Sequence, residues 1–547
     1  MNLAVRNTLD RVFTGLTGAT IVLLALVLIA VLGPMVYRGS SAVLFQGTVE
    51  FRKMQRDLFR RANQTALAAE IAETDRARQV VYEMIDRFRK GIDIEAMSSE
   101  VRQINREYGR ELRHNDASPD EYTEAREVAR MIRDLLEEAF RSQDIELIRR
   151  NVGEVLTHKD EARFQGTVAE RFFVLAGDFL SAAEHVDLSR HHDYLDALGE
   201  VETILFGSIE RPGLLGPRPD EAARPMAMVS YGATRWGQAQ VLLDRLIWAE
   251  RWVEQEPGRP LVKQRTPRAE LFHGTALEPL FRYVPEHLRD MLRPKFTVYW
   301  QFFLDDNFDS HYFGGVGPEI LGTLLITVLG MLFVIPLGVV SSAYLVECAS
   351  EGWVLRIIRM SINTLAGVPS IVFGLFGLAF FVLFLFPKLG FEPKACILGA
   401  SLTLAVLTLP VMIRASEEAI RTVPRSYKEG SLALGASRFR TFVTVTLPAA
   451  LPGILTGVIL SLSRIAGETA PILFTGAVSM GPVPKSIFDP TRTLSYGSYD
   501  MAVGDRLAMM VPHNQYGMVV TLILLILILN AVAVVLRSRV FRKLKGH

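Results

Sequence analysis

The chain has 547 residues, of which 49% are hydrophobic, and its formal net charge is +1. This length allows several domains, while near-neutrality excludes a general electrostatic attraction to nucleic acid, so we expect no nucleic-acid partner. With only two cysteines, the chain cannot depend on a framework of disulfides for its stability.

Six apolar blocks are long enough to cross a bilayer, because about 20 apolar residues span the hydrocarbon core. The fifth block alone is interrupted by charge, at Arg464 and Glu468. The first block could be a cleaved signal peptide, but it exceeds the roughly 7 to 15 apolar residues of such a segment and lacks a clear A-x-A site. We therefore interpret it as an anchor, and the predicted spans are residues 13–36, 320–346, 360–387, 395–413, 449–480 and 518–536.

The positions of Lys and Arg predict the orientation of these spans, because an excess of positive charge marks the cytoplasmic side. The tail at 537–547 carries five such residues. Counting back through six spans puts the basic loop 414–448 and residues 1–12 in the cytoplasm, and residues 37–313 outside. We expect a multi-pass protein with both termini cytoplasmic.

The outer region, residues 37–313, is the largest water-soluble part of the chain. Val80, Met84, Ile85 and Phe88 lie at helical spacing among charged residues, as in helices with one buried face. Proline and glycine at 211–220 and 256–268 mark the best candidates for loops or for boundaries within the region. The sequence therefore predicts a large, mostly helical extracytoplasmic domain.

Motifs for covalent chemistry or metal binding are scarce. Residues 185–193 contain three histidines and two aspartates without regular ligand spacing, so we expect a solvated turn and no metal site. The glycines of residues 314–319 precede a span, and we expect a flexible lead-in to it. No Gly-x-x-x-x-Gly-Lys-Ser/Thr motif occurs, so we expect no catalytic residue and no bound cofactor, with any ATP used by a partner.

The inner loop 414–448 contains signals for a short helix. Thr422 and Pro424 suit its start, since proline is tolerated in a first helical turn. Gly435 suits its end, where a left-handed residue is often needed. Small residues along this stretch would allow another surface to approach closely: Gly430, Ser431, Ala433, Ala436 and Ser437.

This loop resembles the EAA loop of ABC importer permeases, in which Glu-Ala-Ala is followed by three residues, a glycine, nine residues and Ile-x-Leu-Pro. Glu429-Gly430-Ser431 is followed here at the same spacing by Gly435 and by Val445-Thr446-Leu447-Pro448. The resemblance implies that residues 424–438 form a coupling helix that docks into an ATPase subunit. It assigns the coupling to Pro424, Glu429, Gly430, Ser431, Ala433, Gly435, Ala436, Leu447 and Pro448.

Three further segments, at 363–377, 447–457 and 463–476, resemble the phosphate importer permeases, and the ending ETAPILFTG is more similar to the PstA type than to the PstC type. The resemblance covers about 314–536. It implies an all-α integral membrane protein of the bacterial inner membrane with six transmembrane helices of the ABC permease type. It also implies a PstC-type permease, two ATPase subunits that use ATP and Mg, and an extracytoplasmic phosphate-binding protein as partners.

Arg464 and Glu468 are the charges of the fifth span. A charge at membrane depth costs at least about 2.5 to 3.5 kcal/mol, so it normally faces a partner or a wet pathway. Four residues apart on a helix, the two share one face and can pair. They either form a structural ion pair that holds helices together or line the substrate pathway, and we favour the pathway. Arg414 could extend that pathway or anchor at the headgroups by snorkelling.

The sequence thus predicts a permease subunit that imports inorganic phosphate by alternating access. A permease for another oxyanion, such as sulfate or molybdate, is the alternative. A membrane-anchored sensor is less favoured, because four more spans follow where a signalling domain would be expected. The outer domain could contact the binding protein, gate the pathway or sense phosphate, and the residues leave these three roles open.

Overall fold

The computed structural model describes residues 3–61, 63–114, 119–184, 191–207, 212–218, 232–253, 262–308, 313–350, 352–504 and 512–544. The chain divides into a membrane unit, Met1–Phe45 with Thr297–His547, and an inserted unit, Gln46–Phe296. The expected outer domain, 37–313, is therefore longer than the inserted unit at both ends. Residues 37–45 and 297–313 belong to the membrane unit instead.

The inserted unit is mostly helical, as predicted. Its strands Trp248–Val253 and Val262–Pro267 form an antiparallel pair with Trp248 opposite Pro267, so part of the proposed loop at 256–268 is a strand. Strands Leu44–Gly47 and Lys295–Val298 form a second pair where the inserted sequence begins and ends. The helices are Val49–Phe59, Gln64–Ile92, Ile94–His114, Pro119–Arg141, Ile145–Thr157, Glu170–Ala183, His191–Phe206, Arg235–Ile247, Arg268–Leu271 and Leu280–Leu292.

Amphipathic spacing explains how these helices pack. Ile85 and Phe88 are buried as predicted, and the ring of Phe88 meets Phe272 edge to face at 5.4 Å between centroids. A second core is built around aromatic rings such as Phe140 and Phe179, 4.7 Å apart. With each apolar face covered in this way, the unit has the hydrophobic core that its lack of disulfides requires.

Arg78 and Glu50 form a largely buried ion pair in the inserted unit. Arg78 Nη2 lies 2.5 Å from Glu50 Oε1, and the same guanidinium donates to the Met291 carbonyl. Burial alone would raise the pKa of Glu50, but the positive charges of Arg78 and Arg235 hold the pKa of that carboxyl below its ordinary value. Glu50 is therefore a charged core residue whose ionisation stabilises the folded unit.

The membrane unit contains the predicted spans. In the part of the chain that the structure describes, six helical segments are long and apolar enough to cross a bilayer, and we call them spans 1 to 6: Arg11–Ser40, Gly317–Cys348, Ser370–Lys388, Ile397–Arg421, Arg438–Gly467 and His513–Arg542. Span 1 is part of helix Leu3–Ser40 and span 6 part of helix Pro512–Leu544. The π-helical turns are Tyr344–Cys348, Leu378–Leu385 and Phe442–Thr446.

Shorter elements join the spans. The helices are the 3₁₀ turn Trp300–Phe303, and Trp353–Leu365, Arg425–Ala433, Ala470–Thr475 and Leu494–Val503. Strands Asn307–Phe308 and Phe313–Gly314 pair antiparallel.

Two spans differ from the expected bounds. Span 3 begins at Ser370 instead of 360, because the helix Trp353–Leu365 ends before it and the extended Pro369 (φ −57°, ψ 138°) separates the two helices. Span 5 runs from Arg438 to Gly467 instead of 449–480. Its predicted last third is a separate short helix, Ala470–Thr475, and a loop. Both differences arise where a local break divides a continuous apolar stretch.

The glycine-rich stretch before span 2 is closely packed, so the expectation of a flexible lead-in is wrong. Gly314 has φ +101°, and a Cβ there would lie 2.1 Å from the Asp306 carbonyl oxygen. A Cβ on Gly317 would lie 2.3 Å from the Leu304 carbonyl oxygen. Glycine is required here because the backbone of residues 304–306 occupies the space of a side chain.

Spans 2, 4 and 5 form the core of the membrane unit. A Cβ on Gly457 of span 5 would lie 2.7 Å from the Ala415 methyl carbon of span 4. Such small residues let the two helix backbones approach closely. Membrane helices associate through close packing of this kind, because the hydrophobic effect does not drive them together in lipid. The close crossing fixes the position of the charged end of span 5.

Candidate functional site

The short helix of the loop 414–448 forms as the sequence predicts. We call it the loop helix, Arg425–Ala433. Pro424 precedes it in an extended conformation, and Gly435 follows with φ +83°. The amide of Gly435 donates to the Leu432 carbonyl at 2.9 Å and that of Ala436 to the Ser431 carbonyl at 3.3 Å. This is the glycine-dependent cap that satisfies the last carbonyls of a helix.

The loop helix is uncovered in this chain. None of its residues is buried, and nothing lies within 4 Å of the position that a Cβ on Gly430 would take. Leu434 is 90% exposed and Phe439 is 77% exposed. Large apolar side chains exposed together on a loop are typical of a protein interface.

Seven of the nine residues assigned to coupling lie together between Pro424 and Ala436, and they are exposed or partly exposed. The other two, Leu447 and Pro448, begin the last helical part of span 5, where Leu447 packs against the core of the spans. The structure thus separates the motif into an exposed helix and the foot of a span.

Two side-chain contacts join the loop helix to the spans. Lys428 Nζ lies 2.5 Å from Glu347 Oε1 at the C-terminal end of span 2. The Ser431 hydroxyl lies 3.0 Å from that of Thr441 at the start of span 5. Sequence reasoning missed the Lys428–Glu347 pair, because nothing local connects residues 81 positions apart. A displacement of the loop helix would therefore move the ends of both spans.

Arg464 and Glu468 do form an ion pair, but not on one helical face as predicted. The helix ends at Gly467, and Glu468 is extended (φ −76°, ψ 137°). Arg464 Nε lies 3.5 Å from Glu468 Oε1, and the side chains are 32% and 22% exposed. That distance exceeds the roughly 2.7 to 2.9 Å of a charge-assisted hydrogen bond. The pair is loose and both charges remain partly accessible.

The helix break beside this pair is held in place by its surroundings. The Ser495 hydroxyl donates to the Glu468 carbonyl at 3.1 Å. On the other side, a Cβ on Gly374 of span 3 would lie 3.0 Å from the Ala470 carbonyl oxygen. Interrupted helices of this kind occur at substrate sites of transporters, because irregular backbone at membrane depth needs protein or water around it.

The third predicted pathway residue, Arg414, lies apart from the pair. Its Nε donates to Asn363 Oδ1 at 2.7 Å, and the side chain is exposed. The neighbouring Ala415 packs on Gly457, which is seven residues, or about 10 Å of helix, before Arg464. Arg414 therefore sits nearer the loop-helix end of the spans than the Arg464–Glu468 pair does.

A buried ionic cluster that the sequence did not reveal lies at the start of span 2. Arg492 is 4% exposed, and its Nη1 lies 2.8 Å from Asp306 Oδ1 and 3.1 Å from Asn307 Oδ1. Its Nε lies 3.7 Å from Oε1 of the fully buried Glu319. The cluster ties the loop between spans 5 and 6 to the start of span 2.

The same loop reaches the helix break. Next to Arg492, the amide of Leu494 donates to the Thr323 hydroxyl at 3.0 Å, and Ser495 holds the Glu468 carbonyl. The ionic cluster is therefore connected to the Arg464–Glu468 pair through residues 492–495, where the loop meets the helix Leu494–Val503, and through their partners.

No group of three or more His, Cys, Asp or Glu side chains is arranged to hold a metal ion within the residues that the structure describes. Residues 185–190, which include part of the group of histidines and aspartates at 185–193, lie outside the described residues. The chemistry of the described site is that of charges and helix ends.

Comparison with known proteins agrees with this geometry. The family "Binding-protein-dependent transport system inner membrane component" matches residues 334–546. The chain is 35% identical over 249 residues to "Probable ABC transporter permease protein YqgI" of Bacillus subtilis, covering 43% of this chain and 81% of the relative. It is 38% identical over 175 residues to "Phosphate transport system permease protein PstA 1" of Mycobacterium tuberculosis, covering 32% and 55%.

A further relative, "Probable phosphate transport system permease protein PstA" of Methanocaldococcus jannaschii, is 32% identical over 209 residues, covering 36% of this chain and 72% of the relative. The chain spans only about half the length of the mycobacterial relative but most of the other two. It therefore belongs to the ABC transporter permeases of the PstA type, which are membrane-spanning transport components and not enzymes.

Proposed function

We propose that this chain moves inorganic phosphate across the bacterial inner membrane as one permease subunit of an ABC importer. The observation that carries the proposal is the loose, partly exposed Arg464–Glu468 pair at a helix break in span 5. The substrate named for the PstA relatives is phosphate, and an anion of that kind requires positive potential along its path.

In the proposed mechanism, Arg464 attracts the phosphate anion while Glu468 partly neutralises the arginine. Partial neutralisation keeps binding weak, and transport needs weak binding because the anion must also leave. The 3.5 Å separation supports this role, since the guanidinium keeps donors that a tight bidentate pair would occupy. Arg414 lies nearer the loop-helix end and would receive the anion on its way inward.

Membership of the family implies ATPase and binding-protein partners. We propose in addition that the other permease is of the PstC type and that two ATPase subunits bind and hydrolyse ATP with Mg, while this chain binds no cofactor. The loop helix is the proposed coupling surface, and its exposed Leu434 and the nearby Phe439 would fill a groove of the ATPase. ATPase closure would then move spans 2 and 5 through the contacts of Lys428 and Ser431.

The proposed orientation places both termini and the loop helix in the cytoplasm. The basic residues of the tail and of the loop 414–448 support it. The inserted unit, Gln46–Phe296, would then face outward. Deletion of this unit, followed by measurement of phosphate uptake and of docking of the binding protein, would separate its possible roles. If both values are unchanged, the unit neither contacts the binding protein nor gates the pathway, and phosphate sensing is the remaining role.

A permease for sulfate or molybdate would retain the loop helix and differ in the lining of the pathway. The complex of this chain with its partners, reconstituted in vesicles, separates these substrates by ATPase stimulation. Phosphate, delivered with its binding protein, should raise ATP hydrolysis, while sulfate and molybdate should not. Stimulation by either of the other two anions and not by phosphate would contradict the proposed substrate.

A further inference from the structure

Four large apolar side chains are exposed near the outer ends of spans 1 and 2. Leu44 is 46% exposed, Val298 53%, Trp300 56% and Leu304 67%. We call these four residues the outer patch. They fall just after the end of span 1 at Ser40 and before the start of span 2 at Gly317. Contiguous apolar patches on a protein surface mark contacts with other proteins or with membranes.

The outer patch is held by a buried layer behind it. Val298 and Trp300 alternate with Tyr299, which is 5% exposed, and Phe302 is 1% exposed. The amide of Tyr299 donates to the Val43 carbonyl at 2.7 Å, and its ring lies 6.4 Å from that of Phe302. The outward direction of the patch is therefore fixed by the burial of its neighbours.

The depth of this segment follows from what Phe302 touches. A Cβ on Gly517 would lie 3.1 Å from the Phe302 ring and 2.6 Å from the Ala42 methyl carbon. Gly517 lies inside span 6, one turn beyond its start at His513. Residues 299–302 thus pack at the level of the first turn of a membrane span.

A polar pair marks the same level. Arg38 Nη1 donates to the Tyr516 hydroxyl at 2.9 Å, and the guanidinium carbon lies 5.3 Å from the centre of the tyrosine ring. Arginine that extends along a span end and tyrosine at the same depth are typical of the headgroup region. The first residue of the outer patch, Leu44, follows the end of span 1 by four residues, and none of the most apolar stretch of span 1 is buried in the chain.

We propose that the outer patch is a lipid-docking surface, inserted among the phospholipid headgroups and upper acyl chains at the outer ends of spans 1 and 6. Trp300 acts as its interfacial anchor, because tryptophan is enriched at the boundary between headgroups and hydrocarbon. The patch fixes the segment that leads from the inserted sequence into span 2. This role is independent of which anion the chain transports.

Fluorescence of Trp300 tests the proposal in the full chain, reconstituted into phosphatidylcholine vesicles. Quenching is compared between lipids brominated near the top of the acyl chains and aqueous iodide. Trp300 should emit at short wavelength, lose more than half of its intensity in the brominated lipid and resist iodide. It is made the sole tryptophan by replacing four others with phenylalanine: Trp236, Trp248, Trp252 and Trp353.

The matched control is a chain without native tryptophan that carries Val174→Trp, at a 63% exposed position of the inserted unit. It should be quenched by iodide and not by brominated lipid. Equal iodide quenching of Trp300 and the control would overturn the proposal, because Trp300 would lie in water. Protection from iodide without quenching by brominated lipid would also overturn it, because a protein surface would then cover the patch.

A second measurement keeps the native tryptophans. Leu304→Cys is spin-labelled in a chain whose Cys348 and Cys396 are replaced by serine. Collisions with oxygen should exceed collisions with a water-soluble nickel complex at position 304, and the reverse should hold for Val174→Cys. The same preference for the nickel complex at both positions would contradict lipid docking.

Discussion

Replacing Gly435 with alanine tests whether the loop helix depends on its left-handed cap. Gly435 has φ +83°, and nothing lies within 4 Å of the position that an added Cβ would take. A steric clash therefore contributes nothing to the effect of this substitution. The cost is that of holding a residue with a side chain in the left-handed region, about 1 to 2 kcal/mol.

That cost should appear as faster opening of the end of the loop helix. A free-energy change of about 1 to 2 kcal/mol corresponds to a factor of about 5 to 30 in the opening equilibrium. The amides to follow are those of residues 435 and 436, which donate to the carbonyls of Leu432 and Ser431. Hydrogen exchange of the peptide that covers residues 425–436 should accelerate by this factor in Gly435→Ala.

Gly430→Ala is the matched control, since Gly430 lies inside the same helix and also has open space around its Cα. Alanine is favoured over glycine in a helix interior by about 1 kcal/mol, so exchange should slow by a factor of about 5. Exchange that changes in the same direction in both variants, or an unchanged rate in Gly435→Ala, would refute the argument about the cap.

Three further outcomes are expected. Arg464→Gln should abolish phosphate uptake while the complex still assembles on co-purification, and loss of assembly would show instead that the pair is a structural staple. Arg492→Gln should lower the free energy of unfolding of the detergent-solubilised chain by about 3 to 5 kcal/mol, because the buried Glu319 loses its charged partner; an unchanged midpoint would contradict this. Although burial raises it, the positive charges of Arg78 and Arg235 hold the pKa of Glu50 below its ordinary value in the folded unit. Its ionised form therefore adds stability that is complete above about pH 4.5 and is lost as pH falls through the folded pKa. Glu50→Gln should flatten this acid-side slope in an unfolding titration, and identical slopes would count against the Arg78 pairing.

Signals that are local in the sequence predicted much of this structure. Long apolar runs predicted the six spans, because the thickness of the bilayer sets their length. Pro424 and Gly435 marked the loop helix, because each residue type limits the backbone at its own position. Neither inference required knowledge of what surrounds the helix.

Features that depend on distant residues were not predictable in this way. In the sequence, Arg492 is a single charged residue in a polar loop, and its partner Asn307 is 185 residues away. The helix break after Gly467 does have a local signal in Pro471, which starts the next short helix. A hydropathy average over about 19 residues does not detect a single proline, so the apolar run 449–480 was predicted to be one span.

The most direct test of the central claim is uptake of radiolabelled phosphate by vesicles that contain the complex of this chain with its permease and ATPase partners. With the phosphate-binding protein on the outer side and ATP and Mg inside, phosphate should accumulate against its gradient. Accumulation should stop in a complex that carries Arg464→Gln. Failure of phosphate to accumulate while sulfate or molybdate does, or full uptake by the Arg464→Gln complex, would contradict the account.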